Sequence, residues 1–373
     1  MESLKFFIIV PPGLEALALK EIDLKCPVTN PTIIKGGIEL TADLPWMETA
    51  HLNLKIPTRI LLRITEFKVR DFPKLYAKVA GFSWNRYLSH PEPTWEIKCA
   101  RSRLGHTGRI EETLKEGLAE AMRKQPLSRD FEKKSFPPQT FYVRIIDDLL
   151  TLSLDVTGES LYKRGLQKIK GEAPLRENFA AAFLSELFSG IDREVTLVDP
   201  MCGSGTFLTE ALTYHRPLHL RPFAFESAPF YKGRLVRKVQ LDLPPFPIKE
   251  AVGFDVNEEL LAKVAPEVRE LPVSLKFADT TKTRISVDGE MVMICNPPYG
   301  ERIKIDGKKG SFLRAAWEKY LTVDAPLRFA WVLPKDMADL FSDPEGYRLR
   351  SKIDLRNGGL AVTFFVWERA DAP

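Results

Sequence analysis

Apolar and polar positions along the chain change period several times, and each change predicts an element. Residues 4–10 form an apolar-rich run bounded by Pro11-Pro12-Gly13 and read as a strand. Leu14, Leu17, Ala18 and Ile22 then fall on one face of a helix. Strands follow near 33–34, 37–40 and 58–68, and residues 94–100 alternate as a strand should. Residues 110–124 have the spacing of an amphipathic helix. Residues 140–146 and 149–156 predict two strands joined as a hairpin at Asp147-Asp148. The front of the chain therefore reads as α+β.

From Pro174 the pattern changes. A long helix is predicted over 175–187, a buried-type strand over 194–198, and a helix over 206–212 after a glycine-rich turn. Further strands fit 251–254, 273–277, 290–294, 329–333 and 362–367, with helices between them. Strands alternating with helices predict a mostly parallel sheet covered on both faces.

Composition narrows the class. The 373 residues are 44% hydrophobic and 28% charged, enough for two or three domains with cores of their own. The run at 4–10 is too short to span a membrane. Met1-Glu2-Ser3 is no basic leader, so the expected compartment is the cytoplasm. The four cysteines (Cys26, Cys99, Cys202 and Cys295) lie too far apart for a zinc clip, and the five histidines are scattered, so no metal is expected. His215 and His219 are four apart, but Pro217 interrupts any helix between them. Residues 1–165 carry 25 Lys+Arg against 21 Asp+Glu, so the whole net charge of +4 sits in the front. That asymmetry points weakly to a polyanion partner.

The first chemical signal is Asp199-Pro-Met-Cys-Gly203-Ser-Gly205-Thr, placed as strand, glycine-rich turn and helix. Glycines there let backbone approach a ligand at the carboxyl edge of a strand. Leu208 stands where a dinucleotide fingerprint would have its third glycine, and no P-loop lysine follows. An adenosine ligand calls for a carboxylate at the end of the second strand. Asp255, in Val-Gly-Phe-Asp255-Val-Asn, has the strand-then-helix setting; Glu226 has the nearer spacing without it. The longer spacing to Asp255 implies an insertion over roughly 214–250. Asp279, after the third strand, sits where an adenine amine would be read.

The second signal is Asn296-Pro297-Pro298-Tyr299, which follows a fourth buried strand. From the composition it should arise by chance about 0.001 times in this length, so the match is informative. The lone pair of an exocyclic base amine is delocalised into the ring. The Asn296 side-chain oxygen and the Pro297 carbonyl can accept its N–H groups and favour the charge that develops as it attacks. The prolines stiffen the loop, and Tyr299 offers a stacking face for a flipped base.

These two motifs in this order resemble the S-adenosylmethionine-dependent amino methyltransferases. Leu161-Tyr-Lys-Arg-Gly165, Gly171-Glu-Ala-Pro-Leu-Arg-Glu-Asn178-Phe-Ala-Ala and Phe223-Ala-Phe-Glu226 narrow the resemblance. With them the chain looks like the THUMP-domain guanine-N2 RNA methyltransferases of the RlmL type, which make N2-methylguanosine in 23S rRNA. The resemblance implies an α/β fold. A ferredoxin-like unit (1–55) and a THUMP RNA-binding domain (56–158) would precede a Rossmann-like class I methyltransferase domain (159–373). It implies S-adenosylmethionine held by Asp199, Pro200, Cys202, Gly203, Ser204, Gly205, Thr206, Asp255, Val256, Asp279, Thr280 and Asn296. Pro174, Leu175, Arg176 and Asn178 would line the same pocket. Asn296, Pro297, Pro298 and Tyr299 would form the catalytic loop. Some relatives carry a second methyltransferase domain that does not follow here.

RNA would need phosphate ligands and stacking faces. The candidates are Lys98, Arg101, Arg103, Arg109, Lys163, Arg164, Lys168, Lys170 and Arg302. A further cluster (Arg123, Lys124, Arg129, Lys133 and Lys134) is mixed with acids. Trp95 and Phe141, at strand spacing, are expected in the core. A monomer is the default. Methylation of tRNA, of DNA or of a protein glutamine, and a non-catalytic RNA-binding or assembly factor, remain alternatives.

Overall fold

The computed structural model describes residues 3–127, 138–164, 175–217, 221–233, 241, 243–298, 309–341, 343–357 and 359–371; for 309–311, 339 and 340 only the backbone is described. Two seven-stranded sheets organise it.

The first sheet is built from β1 (Leu4–Ile9), β2 (Thr32–Ile34), β3 (Gly37–Ala42), β4 (Arg59–Lys68), β5 (Thr94–Ala100), β6 (Thr140–Ile146) and β7 (Leu149–Asp155), in the order β2-β3-β1-β4-β7-β6-β5. Neighbours are antiparallel except β5 and β6. The expected boundary near residue 55 falls just before β4, the strand that pairs with both β1 and β7. The β6–β7 hairpin turns at Asp147 and Asp148, both at positive φ (51° and 63°), as a two-residue turn matched to strand twist requires.

Helices α1 (Glu15–Lys25), α2 (Leu44–Asn53), α3 (Phe72–Ala80) and α4 (Thr107–Lys124) accompany this sheet. Asp43 and Asp71 start α2 and α3. Each side chain accepts a backbone N–H three residues on, from Trp46 at 2.9 Å and Lys74 at 2.8 Å, with proline in the first turn. The apolar stripe of α4 (Ile110, Leu114, Leu118 and Ala121) is buried. Trp95 and Phe141 pack together at 5.5 Å in this core, as their spacing predicts.

The second sheet comprises β8 (Val195–Asp199), β9 (Ile248–Asp255), β10 (Val273–Phe277), β11 (Met291–Cys295), β12 (Arg328–Pro334), β13 (Tyr347–Asn357) and β14 (Leu360–Arg369). Its order is β10-β9-β8-β11-β12-β14-β13. The first four pairings are parallel and the last two antiparallel. Its helices are α5 (Glu177–Leu187), α6 (Thr206–Thr213), α7 (Glu258–Val268) and α8 (Lys309–Lys319). This is the expected Rossmann-like methyltransferase arrangement. The central strands β8, β11 and β12 are buried throughout because helices cover both faces. Among the described residues no helix is long and apolar enough to cross a membrane.

The two sheets share one apolar core that runs from Phe6 and Ile8 through Phe179, Phe183 and Leu208 to Phe364 and Val366. Polar links cross the joint. Lys25 Nζ reaches Glu21 at 2.7 Å, the Asn53 carbonyl at 3.1 Å and the Tyr214 carbonyl at 3.2 Å. Phe223 and Phe225 flank the His51 ring at 5.0 and 4.9 Å. Burial pushes that imidazole down to about 3 and keeps it neutral.

Candidate functional site

Chain order reverses between β8 and β11, and parallel strands that part there leave a crevice at their carboxyl ends. Asp199 ends β8, Asp255 ends β9, Asp279 follows β10, and Asn296 follows β11. The fold thus brings the two sequence motifs to one edge of the sheet.

The glycine-rich loop is tied down from both sides. The Cys202 N–H donates to the Phe254 carbonyl at 2.8 Å, and the Gly205 N–H to the Cys202 carbonyl at 2.8 Å. Gly203 (φ 51°) and Gly205 (φ 70°) hold left-handed conformations that side-chain-bearing residues rarely adopt. The Gly203 N–H donates to Asp255 Oδ2 at 2.9 Å, and the Asn257 N–H to Asp255 Oδ1 at 2.9 Å. Asn257 in turn caps α7 by accepting the Leu260 N–H at 3.0 Å. Asp255 therefore joins the loop to the start of α7. A carboxylate has about four acceptor positions, so two remain for a ligand.

The set fits an adenosyl group. A Cβ added to Gly203 would meet no atom within 4 Å, so open space faces the loop. Val256, beside the Asp255 carboxylate, is 65% exposed and offers apolar surface to a flat base. Glu226, the alternative carboxylate, is spent elsewhere. It accepts the Phe223 N–H at 2.7 Å and caps the short 3₁₀ turn Ala224–Ser227 against the front sheet.

Asp199 is buried, and burial raises its carboxyl to about 8, with the nearby Asp255 adding to the effect. Its Oδ1 accepts the Met201 N–H at 3.2 Å. Asp279 is held low by the Thr281 hydroxyl, 2.5 Å away, and by Lys282 at 2.9 Å. Nothing in the pattern singled out Thr281, whose role depends on a turn two residues wide. Thr280 is buried and donates to the Pro200 carbonyl at 3.0 Å. Ser204 and Thr206 face one another at 3.3 Å beside the loop.

Asn296 and Pro298 are half-buried and Pro297 is buried. Pro174, Tyr299, Lys168, Lys170 and Arg302 lie outside the described residues, as do His219, Arg129, Lys133 and Lys134. Leu175 is buried and Arg176 exposed, 5.6 Å from the Tyr162 ring. The Asn178 amide turns to the Ile56 carbonyl at 3.4 Å and the Thr58 hydroxyl at 3.5 Å, at the joint with the front sheet.

The expected RNA ligands divide. Lys98, Arg103 and Arg109 are exposed, the last 4.3 Å from the Phe72 ring. Arg101 is exposed but engaged bidentately by Asp147, both contacts 2.8 Å. Lys163 pairs with Glu159 at 2.6 Å. Arg164 corrects the expectation. It is buried, with its guanidinium on Glu210 at 2.9–3.1 Å and on the carbonyls of Leu161 and Lys55, and it cannot reach a phosphate. Among the described residues no cluster of metal-ligating side chains occurs.

Residues 164–326 match the family model UPF0020, described as an RMKL-like methyltransferase domain. A Synechocystis protein provisionally named an RNA methyltransferase is 27% identical over 97% of this chain and 96% of its own length. The ribosomal RNA large subunit methyltransferase K/L of a Marinomonas species is 29% identical over 79% of this chain. The match spans only 43% of that relative, so the chain covers less than half the K/L protein. A Clostridium difficile structure, described as a possible methylase, is 25% identical, with a TM-score of 0.80 over the whole of both chains. Over residues 164–326, then, this chain is similar to the RMKL-like methyltransferase domains of the UPF0020 family.

Proposed function

We propose that the protein is an S-adenosylmethionine-dependent RNA methyltransferase that modifies the exocyclic N2 amine of a guanosine in large-subunit rRNA. The observation that carries the reading is the meeting of Asp255 and Gly203 with Asn296-Pro297-Pro298 at the crevice between β8 and β11. K/L-type relatives give the substrate class its support. A solved structure with the same fold (SMU.472, TM-score 0.78, 23% identical) holds S-adenosylhomocysteine, in keeping with the proposed cofactor.

When bound, S-adenosylmethionine supplies an electrophilic methyl group on a sulfonium. Asp255 would hold the ribose hydroxyls, Val256 the adenine face and Asp279 the adenine amine. The Asn296 side-chain oxygen and the Pro297 carbonyl would accept the two N–H bonds of the target amine and stabilise the positive charge that grows on nitrogen. As the amine gained the methyl, the carbon–sulfur bond would break to leave a neutral thioether, and the amine would give up one proton to solvent. Direct transfer needs no thiol nucleophile, and Cys295 is buried with its thiol held well above the ordinary range. A flipped base is required, because the N2 amine of a paired guanine is sequestered. The front region would be the ferredoxin-like (1–55) and THUMP (56–158) parts that carry the RNA, with Lys98, Arg103 and Arg109 presented to phosphates. An RNA acceptor of this kind implies a cytoplasmic setting.

The test is methyl transfer from labelled S-adenosylmethionine to separated, unmodified 23S rRNA, 16S rRNA and tRNA, followed by nucleoside analysis. N2-methylguanosine in 23S rRNA is expected. Label in tRNA would replace the substrate, and label on adenine N6 would overturn the base assignment.

A further inference from the structure

Beneath the crevice a buried hydroxyl chain ties the Asp199–Gly205 loop to the turn after Asp279. The Thr280 hydroxyl lies 3.0 Å from the Pro200 carbonyl and 2.7 Å from the Tyr320 phenol oxygen. The carbonyl can only accept, so it takes the one proton Thr280 has to give. The phenol must then donate to Thr280, and the chain runs one way: Tyr320 O–H to Thr280 Oγ1, Thr280 O–H to the Pro200 carbonyl. Thr280 and Tyr320 are 3% and 0% exposed, so water does not compete for these bonds.

Tyr320 opens an unusual turn. Residues Tyr320–Asp324 form a single π-helical turn at the end of α8, closed by the Ala325 N–H on the Tyr320 carbonyl at 3.0 Å, with Ala325 at φ 43°. Such turns are rare, occur mostly as single turns within helices, and are frequent at functional sites. This one is clamped onto the segment that follows Asp279. The Ile285 N–H donates to Asp324 Oδ1 at 3.0 Å, and Lys319 Nζ donates to the Thr283 carbonyl at 2.6 Å and to Asp324 Oδ2 at 2.8 Å. Tyr320 also packs beside Phe329 and Trp331 on β12.

We infer that Tyr320 is a positioning residue for the cofactor crevice: through Thr280 it fixes the Pro200 carbonyl, and so sets the gap between the Asp199–Gly205 loop and the Asp279 turn. This rests on the proposed cofactor. The chain joins the loop after β8 to the turn after β10, and Tyr320 follows α8, the next described helix after Asn296 in sequence. Loss of the phenol O–H frees Thr280 to turn, and the two walls lose their common anchor.

The experiment measures S-adenosylhomocysteine binding by titration calorimetry and the thermal midpoint of the ligand-free protein. The proteins are wild type, Tyr320→Phe, Thr280→Val, their double variant, and Tyr347→Phe as a control. Tyr347 is another buried tyrosine with one hydrogen bond, to the Pro326 carbonyl at 2.7 Å, remote from the crevice loops in sequence. Tyr320→Phe should weaken binding about tenfold, as for one buried hydrogen bond. The double variant should bind no more weakly than Thr280→Val alone, because one chain is broken once. Tyr347→Phe should lower the midpoint comparably with affinity unchanged. Wild-type affinity in Tyr320→Phe, or losses that add in the double variant, would overturn the inference. If Tyr320→Phe fails to fold, comparing Thr280→Val with Tyr347→Phe decides it: unchanged affinity in Thr280→Val overturns it. No affinity in the wild type would overturn the proposed cofactor, and this inference with it.

Discussion

The Arg164 guanidinium grips the Glu210 carboxylate with contacts of 2.9, 3.0 and 3.1 Å, joining the segment after the front sheet to the helix that leaves the glycine-rich loop. Both side chains are almost fully buried, at 4% and 2% exposure. Removing one partner strands the other charge away from water. Arg164→Ala should therefore cost about 3 kcal/mol or more in urea denaturation. Arg164→Met paired with Glu210→Leu should recover much of that loss. A single variant as stable as wild type would mean that water reaches the pair.

Asp255 carries charge-assisted hydrogen bonds that organise the loop and, on the proposed reading, the ribose. Asp255→Ala should weaken S-adenosylhomocysteine binding by about one to two orders of magnitude in calorimetry. Glu226→Ala, at the rejected carboxylate, should leave that affinity intact. The reverse ranking would exchange their roles.

On the proposed reading, Asn296 acts on the transferring amine rather than on cofactor affinity. Asn296→Ala should cut single-turnover methyl transfer about a hundredfold or more. Cofactor affinity should change far less. Equal losses in both would remove Asn296 from the proposed step.

The buried Asp199 links stability to pH. Its folded carboxyl titrates at about 8, against about 4 in an unfolded chain. Between those values the folded protein keeps a proton that the unfolded chain releases. The stability this group contributes is whole below about pH 4 and drains away as pH rises toward about 8. Asp199→Asn cannot ionise, so the ligand-free variant should lose less stability than wild type between pH 5 and pH 8 in denaturant titrations. Parallel losses would show that the carboxyl ionises freely in the fold.

Arg103 and Arg101 lie on one loop but differ in availability. Arg103 is exposed, and its backbone N–H anchors on Asp148 at 2.9 Å, whereas Arg101 must leave Asp147 to meet a phosphate. Arg103→Glu should weaken binding of rRNA fragments more than Arg101→Glu does, and flatten the salt dependence by about one unit of slope. Identical binding by both variants and wild type would remove the loop from the RNA surface.

Local chemistry made much of this molecule legible. Strand-length apolar runs marked β8, β11 and β12, and the two loop motifs are continuous in the chain, so their carboxyl-edge placement followed from the strands before them. What escaped needed partners distant in sequence. Arg164 reads as one cation in a basic stretch, and only folding brings Glu210, 46 residues away, against it. Strand β13 was missed although it alternates. Arg348, Arg350, Lys352 and Arg356 occupy positions where a buried strand would carry aliphatics, because β13 is an edge strand. Tyr320 gave no signal, since a π turn has no sequence period of its own.

The apolar cluster that runs from Phe6 to Val366 bears on how such a molecule can be altered. Its two sheets are not interchangeable parts. A methyltransferase half cut free would open that shared core where α5 packs against α1, and grafting another front onto it would demand a matching interior as well as a compatible surface. Lineages that reshape the front of this fold must therefore change both halves in step.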